Sequence, residues 1–443
     1  MRLGALLAVG VMCTPLVARA QEDVASAAGA APEPAPVATS GGSAPAPPSS
    51  GTPTPPAPEP IEIAVVGRHR ASRDRSADTS LIEGQRLRDS PRPSTFEAIA
   101  QQSADVYVPG RGALHGVAGG GTGGIRVRGL GGSPNSQVLV VEDGVPDYQG
   151  IFGHPIPDAY VPFLIDDVLV VKGGDSTLYG TNAMGGVVVI RNRWREEDGQ
   201  ELMSDSAVGS YATVRETVSG LARVGAWDLA GGVHAMRTDG HRDGAGGDQL
   251  IGSAAARYRF TPHLTLTARH KVVHLDGADP GPVTHPTPEH WYDVWRDTAS
   301  LRLDWRRGRL RLGMTPYLNV GVHELFDGFR SVDHVGGGVA EAEVRAGSIT
   351  DFLIGTAWQE VGGRVDNRIT GERPSVSGMT DVSAYGQVDV RPVERVSLVV
   401  GARELLSSSH GAVLLYKGGA RWSPFDGLAL HTRVSRNFRQ PTI

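Results

Sequence analysis

Thiol chemistry is nearly absent from this chain: its 443 residues include one cysteine, Cys13. That cysteine lies in an N-terminal stretch, residues 1–20, that reads as an export signal. Arg2 is the positive flank, Leu3 to Val17 the apolar core, and Ala18-Arg19-Ala20 a small-x-small cleavage site. A mature chain cut there carries no disulfide framework and no cysteine nucleophile or ligand. The core falls short of the roughly 20 apolar residues of a spanning helix; a retained signal anchor is its other reading. No later segment reaches that length. Aromatics make up 6% of the chain and the net charge is −5, so no global basic face marks nucleic acid as a partner. An exported chain without spanning helices is either water-soluble or crosses the outer membrane as a β-barrel.

Enzyme signatures are missing too. There is no G-x-x-x-x-G-K-[ST], and no G-x-G-x-x-G sits between a strand and a helix. Gly173-Gly174-Asp175-Ser176 does not complete a nucleophile elbow. His323-Glu324 lacks the second histidine of a zincin. The expectation is a non-enzyme with no cofactor and no dedicated metal site.

What the chain does have is 59 glycines and 30 prolines, unevenly placed. Residues 21–60 are dominated by Ala, Pro, Ser, Gly and Thr, a composition that cannot bury enough apolar surface to offset its ordering entropy, and they read as a mobile linker. A short β-prone segment, 61–67, follows. Between Ser80 and Val108, the positions of Leu81, Ile82, Leu87, Phe96, Ile99 and Ala100 predict two short helices, the second opened by Ser94-Thr95 with Glu97 in its first turn. Gln137–Val141 and Asp167–Val171 read as buried strands. After Arg193, segments of about ten residues alternate apolar and polar side chains between Gly, Asp and Pro, as in Trp227–Met236, Leu264–Leu275 and Leu310–Val322. About thirteen such strands are expected. Tyr258, Phe260, Trp305 and Trp422 at strand ends fit an interfacial girdle. The alternation also suits a soluble β-sandwich or propeller.

Three segments carry sharper information: Gly124-Ile125-Arg126-Val127-Arg128-Gly129, then Gln137 to Pro146 (QVLVVEDGVP), then Ile165 to Ile190. Their order and spacing resemble the plug domain of TonB-dependent outer-membrane receptors. The resemblance implies a small mixed α/β plug, residues 68–193, followed by an antiparallel transmembrane β-barrel from 194 to 443. It makes Ile61, Glu62, Ile63, Ala64, Val65 and Val66 the TonB box, a strand on a flexible tether suited to β-augmentation; the plainer reading is a first plug strand. It also implies a partner, the TonB–ExbB–ExbD complex, and a scarce cargo such as a ferric siderophore, haem, cobalamin or an oligosaccharide. Arg126 and Arg128 would pair with carboxylates on the barrel wall, or simply be solvated. The pattern departs at two points: Gly173-Gly174-Asp175-Ser176 replaces the family's Gly-Pro-Ala-Ser, and Val189 replaces an asparagine.

In the plug motif, Gly129, Asp143, Gly144, Lys172, Gly173, Tyr179, Gly180, Gly185 and Gly186 read as structural. Asp143-Gly144 should make a tight turn, and the later glycines should let the chain fold back before the last plug strand. Ligand contacts are expected on the plug apex (Tyr148 and His154) and on outward loops (His241, Asp243, His285, His290). Val434 to Thr442 resembles a stretch well inside the family's twenty-two-stranded barrel, so the last third is expected to be missing. A signal transducer of the same architecture and a soluble exported β-rich binding protein are the competing readings.

Overall fold

Three valine-rich runs organise the N-terminal half of the fold. β4 (Val138–Glu142), β6 (Ile165–Lys172) and β7 (Gly186–Asn192) are buried almost throughout, as strands covered on both faces must be. β7 pairs parallel to β4 and antiparallel to β6. With β1 (Asp78–Glu83) and β5 (Val145–Pro146) at the edges, the sheet order is β1-β6-β7-β4-β5. The computed structural model describes residues 74–442 except 93, 110–113, 115–123 and 133–134. These fall in one compact unit, Glu62–Ile443. The expected export signal, linker and TonB box lie outside the described residues.

The helices of this domain are α1 (Gly84–Arg88), α2 (Thr95–Gln102) and α3 (Ser176–Tyr179). The α2 start is the expected one: the Ser94 hydroxyl accepts from the Phe96 N–H at 3.2 Å, satisfying a free donor of the first turn. The first predicted helix is shorter than its apolar spacing implied. Leu81 and Ile82 lie in β1, opposite Leu169 and Val168 of β6. Ladder pairing with a buried neighbour outweighs a weak local helical pattern. A two-stranded ladder joins β2 (Val106–Tyr107) to β3 (Arg126–Val127).

The alternating region forms one antiparallel sheet of thirteen strands in chain order. They are β8 (Gly199–Gly209), β9 (Thr213–Val224), β10 (Trp227–Thr238), β11 (Gly247–Thr261), β12 (Leu264–Ala278), β13 (Trp291–Arg307), β14 (Leu310–Leu325), β15 (Phe329–Ala346), β16 (Thr350–Asn367), β17 (Met379–Val393), β18 (Val396–Ser407), β19 (Gly411–Phe425) and β20 (Leu428–Arg436). β8 and β20 are its edges. At one rim every connection is two or three residues long; the other carries the longer loops 239–246, 279–290 and 368–378.

The period of two sorts this sheet into an outer and an inner face. Leu301, Leu303, Leu312, Met314, Leu318 and Val320 are exposed, whereas Thr315, Tyr317 and Asn319 between them are buried toward the plug. Trp227, Tyr258, Phe260, Trp305 and Trp422 cluster near the short-connection rim, and the Trp227 and Tyr258 rings lie 4.6 Å apart. An outward apolar band bordered by aromatics is the pattern of a strand wall in lipid. Among the described residues no helix is long and apolar enough to cross a membrane.

The wall curves around the small sheet. One face of the plug sheet (Val138, Val140, Val168, Val170, Val188, Ile190) packs with Phe96 and Ile99 of α2 and with Ile251, Val273, Leu275 and Val294 of the wall. The other face (Leu139, Val141, Leu169, Val171, Val187, Val189) meets Tyr317, Val335 and Val361. This double covering is why the runs read as continuously apolar.

Candidate functional site

Between the plug and the wall the contacts turn ionic. In β12 the outward residues Leu264, Leu266 and Ala268 alternate with the inward Thr265, Thr267, Arg269 and Lys271. Arg269 Nη1 lies 3.0 Å from Asp143. Lys271 Nζ binds Glu142 and lies 3.3 Å from Asp147. Asp147 also accepts from the Tyr160 hydroxyl at 2.8 Å and from Asn319 Nδ2 at 2.9 Å. Burial alone would push the Asp147 carboxyl up, but Lys271, the Tyr160 hydrogen bond and Arg296 outweigh it and hold it below its ordinary value.

A second cluster lies against β19 and β20. Lys417 Nζ is 3.1 Å from Asp74 and 3.0 Å from Asp175, and all three side chains are fully shielded from solvent. Arg433 Nη2 lies 3.0 Å from Asp175 and 3.6 Å from Asp74. Burial raises the Asp74 carboxyl, and Lys417 and Arg433 more than reverse that. In both clusters the acids belong to the plug and the bases to the wall. Close backbone approach accompanies them: a Cβ on Gly419 would lie 2.6 Å from Ser76 Cβ, so only glycine lets the plug segment sit this near β19.

The expected arginine contacts have the opposite arrangement. Arg128 turns back onto its own domain, binding Asp78 and lying 3.3 Å from Asp105. Its backbone is left-handed, φ 51°, which directs the side chain toward those two acids. Arg126 is exposed, its guanidinium 6.0 Å from the Tyr107 ring. Neither reaches the wall. The motif glycines have the structural character expected of them. Asp143 and Gly144 both have positive φ, 49° and 90°, the requirement of a tight two-residue hairpin; Gly129 also has positive φ, 80°. Lys172 ends β6 in a buried position beside Asp78, with Gly173 turning after it. A side chain at Gly185 would strike Leu130, and one at Gly186 the Val171 carbonyl. Tyr179-Gly180 turns the chain beside Arg403 of β18.

The Tyr148–Tyr160 segment approaches the rim of longer loops, where Phe152 packs 5.2 Å from His323 and 5.3 Å from Phe329. His154, expected to face outward, is buried there, 2.8 Å from the Pro155 carbonyl through Nδ1. Burial lowers its pKa to about 4. It fills space and serves no cargo in this arrangement, because Gln149 and Phe152 cover it. Tyr148 donates to Gln359 of β16 at 2.8 Å. It helps line a seam cavity of about 70 Å³ with Tyr179, Tyr317, Tyr385 and Arg403.

His241 and Asp243 lie on loop 239–246, and His285 and His290 on loop 279–290, at the same rim. His241, Asp243 and His285 are exposed, and His290 stacks on Phe326. Among the described residues no group of three or more potential ligands gathers for a metal ion. Sequence reading missed Asp74, Asp147, Asp175, Arg269, Lys271, Lys417 and Arg433. The signal for the four wall cations was present in strand parity, which turns each of them inward.

Residues 71–187 match the family model described as TonB-dependent Receptor Plug Domain. No curated protein sequence matches the chain. The fold is similar to that of the siderophore receptor PirA from Pseudomonas aeruginosa, with TM-score 0.62 at 16% identity over 82% of this chain and 62% of that one. It is similar to the ferric citrate transporter FecA in its unliganded form, with TM-score 0.66, 15% identity, and 84% and 64% coverage. The copper transporter OprC gives TM-score 0.66, 14% identity, and 82% and 63% coverage. The chain thus spans less than two thirds of the length of these structures. A TonB-dependent receptor plug followed by the outer-membrane barrel fold of such receptors is the architecture of this chain.

Proposed function

We propose that this chain, a TonB-dependent receptor plug seated in the matching barrel wall, serves energised uptake of a scarce solute across the outer membrane. The observation that carries the reading is the seam. A plug that must move is held by charge pairs and hydrogen bonds over much of its rim, through Arg269, Lys271, Lys417 and Arg433. Such bonds can be exchanged for water or cargo, which a sealed apolar interface cannot do. The outer membrane has no nucleotide supply, so the work comes from the TonB–ExbB–ExbD complex gripping Ile61 to Val66. The cargo is a metal chelate of the ferric siderophore class, with haem or cobalamin as its alternatives; the names of the similar structures support that class. A soluble binding module is disfavoured by the outward band of Leu301, Leu303, Leu312 and Met314.

Deleting residues 61–66 tests this reading. Uptake of radiolabelled iron presented as siderophore chelates should fall to background while surface binding of the same chelate persists. Undiminished uptake would reject the assigned box, and recovery of the protein in the soluble fraction would reject the receptor.

A further inference from the structure

The cluster at β19 and β20 has an asymmetry that the transport reading does not use. Its two cations sit on the immobile wall, and its two anions sit on the plug. Asp74 lies eight residues after Val66, on the segment through which a pull on the assigned box would first reach the plug. Besides the wall cations, Asp74 Oδ1 accepts from the Ser76 hydroxyl at 2.5 Å and from its N–H at 3.1 Å, so it leaves with a local turn and not alone. Once Asp74 is withdrawn, Lys417 and Arg433 face a single carboxylate, Asp175, across the seam. A buried cation without its partner is costly, and an incoming anion relieves that cost.

Arg433 is built for such an exchange. Its Nε, Nη1 and Nη2 are buried, and none makes a hydrogen bond among the described residues. The 3.0 Å approach of Nη2 to Asp175 is an ion pair without hydrogen-bond alignment. A guanidinium fork with unused donors beside a lysine ammonium matches a carboxylate or phosphate oxygen pair. The aspartates therefore act as stand-ins for an oxyanion. On the wall, Asp389 is the acid near this cluster, and Gln387 donates to it at 2.7 Å.

We infer that Lys417 and Arg433 form an oxyanion-receiving site on the lumen wall, masked at rest by Asp74 and Asp175 and uncovered as the plug's leading segment withdraws. The inference rests on the transport reading for the force that withdraws Asp74, and it names the cargo class as anionic. Neutral cargo would gain nothing from the exchange.

The test needs no cargo and no TonB. In the full chain, purified in detergent micelles, Asp74→Asn with Asp175→Asn leaves both cations unmatched, and inorganic phosphate is the probe. A Thr177→Cys reporter in a Cys13→Ser background reads seam opening by maleimide labelling, because Thr177 is buried beside Gly401 of β18. Phosphate at ten times its dissociation constant should slow labelling of the Asn pair about tenfold, and chloride at equal ionic strength should do far less. The parent should not respond, nor should the Asn pair carrying Lys417→Gln and Arg433→Gln. Equal slowing by chloride, no slowing by phosphate, or slowing that survives loss of both cations overturns the site. If the Asn pair does not fold, Asp74→Asn alone carries the test, read by broadening of the phosphorus resonance of added phosphate; an unbroadened line overturns the site. None of these results bears on the dependence of uptake on residues 61–66, so the two readings fail separately.

Discussion

Replacing Lys271 with methionine isolates the worth of one seam contact. The ammonium is 13% exposed and bridges Glu142 (21%) and Asp147 (13%), so water screens it little. Methionine keeps most of the stem volume, so the loss is electrostatic. Removing one partner of a buried pair costs about 3–5 kcal/mol; the partly exposed Glu142 places this site near ~3 kcal/mol on the same scale. That corresponds to about a hundredfold in the opening equilibrium. The assay is maleimide labelling of Thr177→Cys in the Cys13→Ser background, under conditions where the rate tracks the open fraction. The pH dependence supplies a sharper check. In the parent, the depressed Asp147 carboxyl contributes stability that is full at neutral pH and lost only as pH falls through its folded value, below the ordinary 3.8. Without Lys271 the burial term is left less opposed and the carboxyl shifts up. Its contribution then changes sign: opening should be greatest at neutral pH and should fall on acidification toward pH 5. An effect below about 1 kcal/mol, the range of solvent-exposed pairs, or an unchanged pH profile would refute the view that buried charge holds the plug.

Two further outcomes follow from other parts of the fold. His154 is neutral when buried, with its pKa lowered to about 4. Its contribution to apical-loop stability is full above pH 6.5 and is lost as pH falls from 6.5 toward 4, about 3 kcal/mol in all. His154→Gln should flatten the hydrogen-exchange response of residues 149–156 over that window, and an identical acid response would remove His154 from the account. Leu318 faces outward on β14 and is exposed. Leu318→Arg should cost ~2–4 kcal/mol of folding free energy in phospholipid vesicles, read by urea titration; a cost under about 0.5 kcal/mol, typical of a water-facing position, would mean this face does not meet lipid.

Much of this architecture was legible before any coordinates. The plug strands announced themselves because Val138–Val141, Val168–Val171 and Val187–Ile190 are buried on both faces, which leaves no polar alternation to blur them. The wall strands were countable because one face meets apolar surroundings and the other a polar plug. The turn at Asp143-Gly144 was readable because its backbone conformation nearly dictates its residues. Less legible was β1, where Leu81 and Ile82 have helical spacing but gain more from pairing with β6. Least legible were the charge partners. Arg128 stands in the expected motif yet pairs with Asp78 and Asp105, and His154 stands in an apical loop yet is buried under Phe152.

Periodicity and turn chemistry are local, and the sequence alone determined both: which segments are strands, which way each side chain points, and that a plug precedes a wall. Ion pairing joins residues such as Asp74 and Lys417, far apart along the chain, through an interaction that decays over a few ångströms in a medium of low dielectric. Only the tertiary structure could decide which inward-facing charge meets which, because only the closed seam brings them within that range and excludes the water that would otherwise screen them.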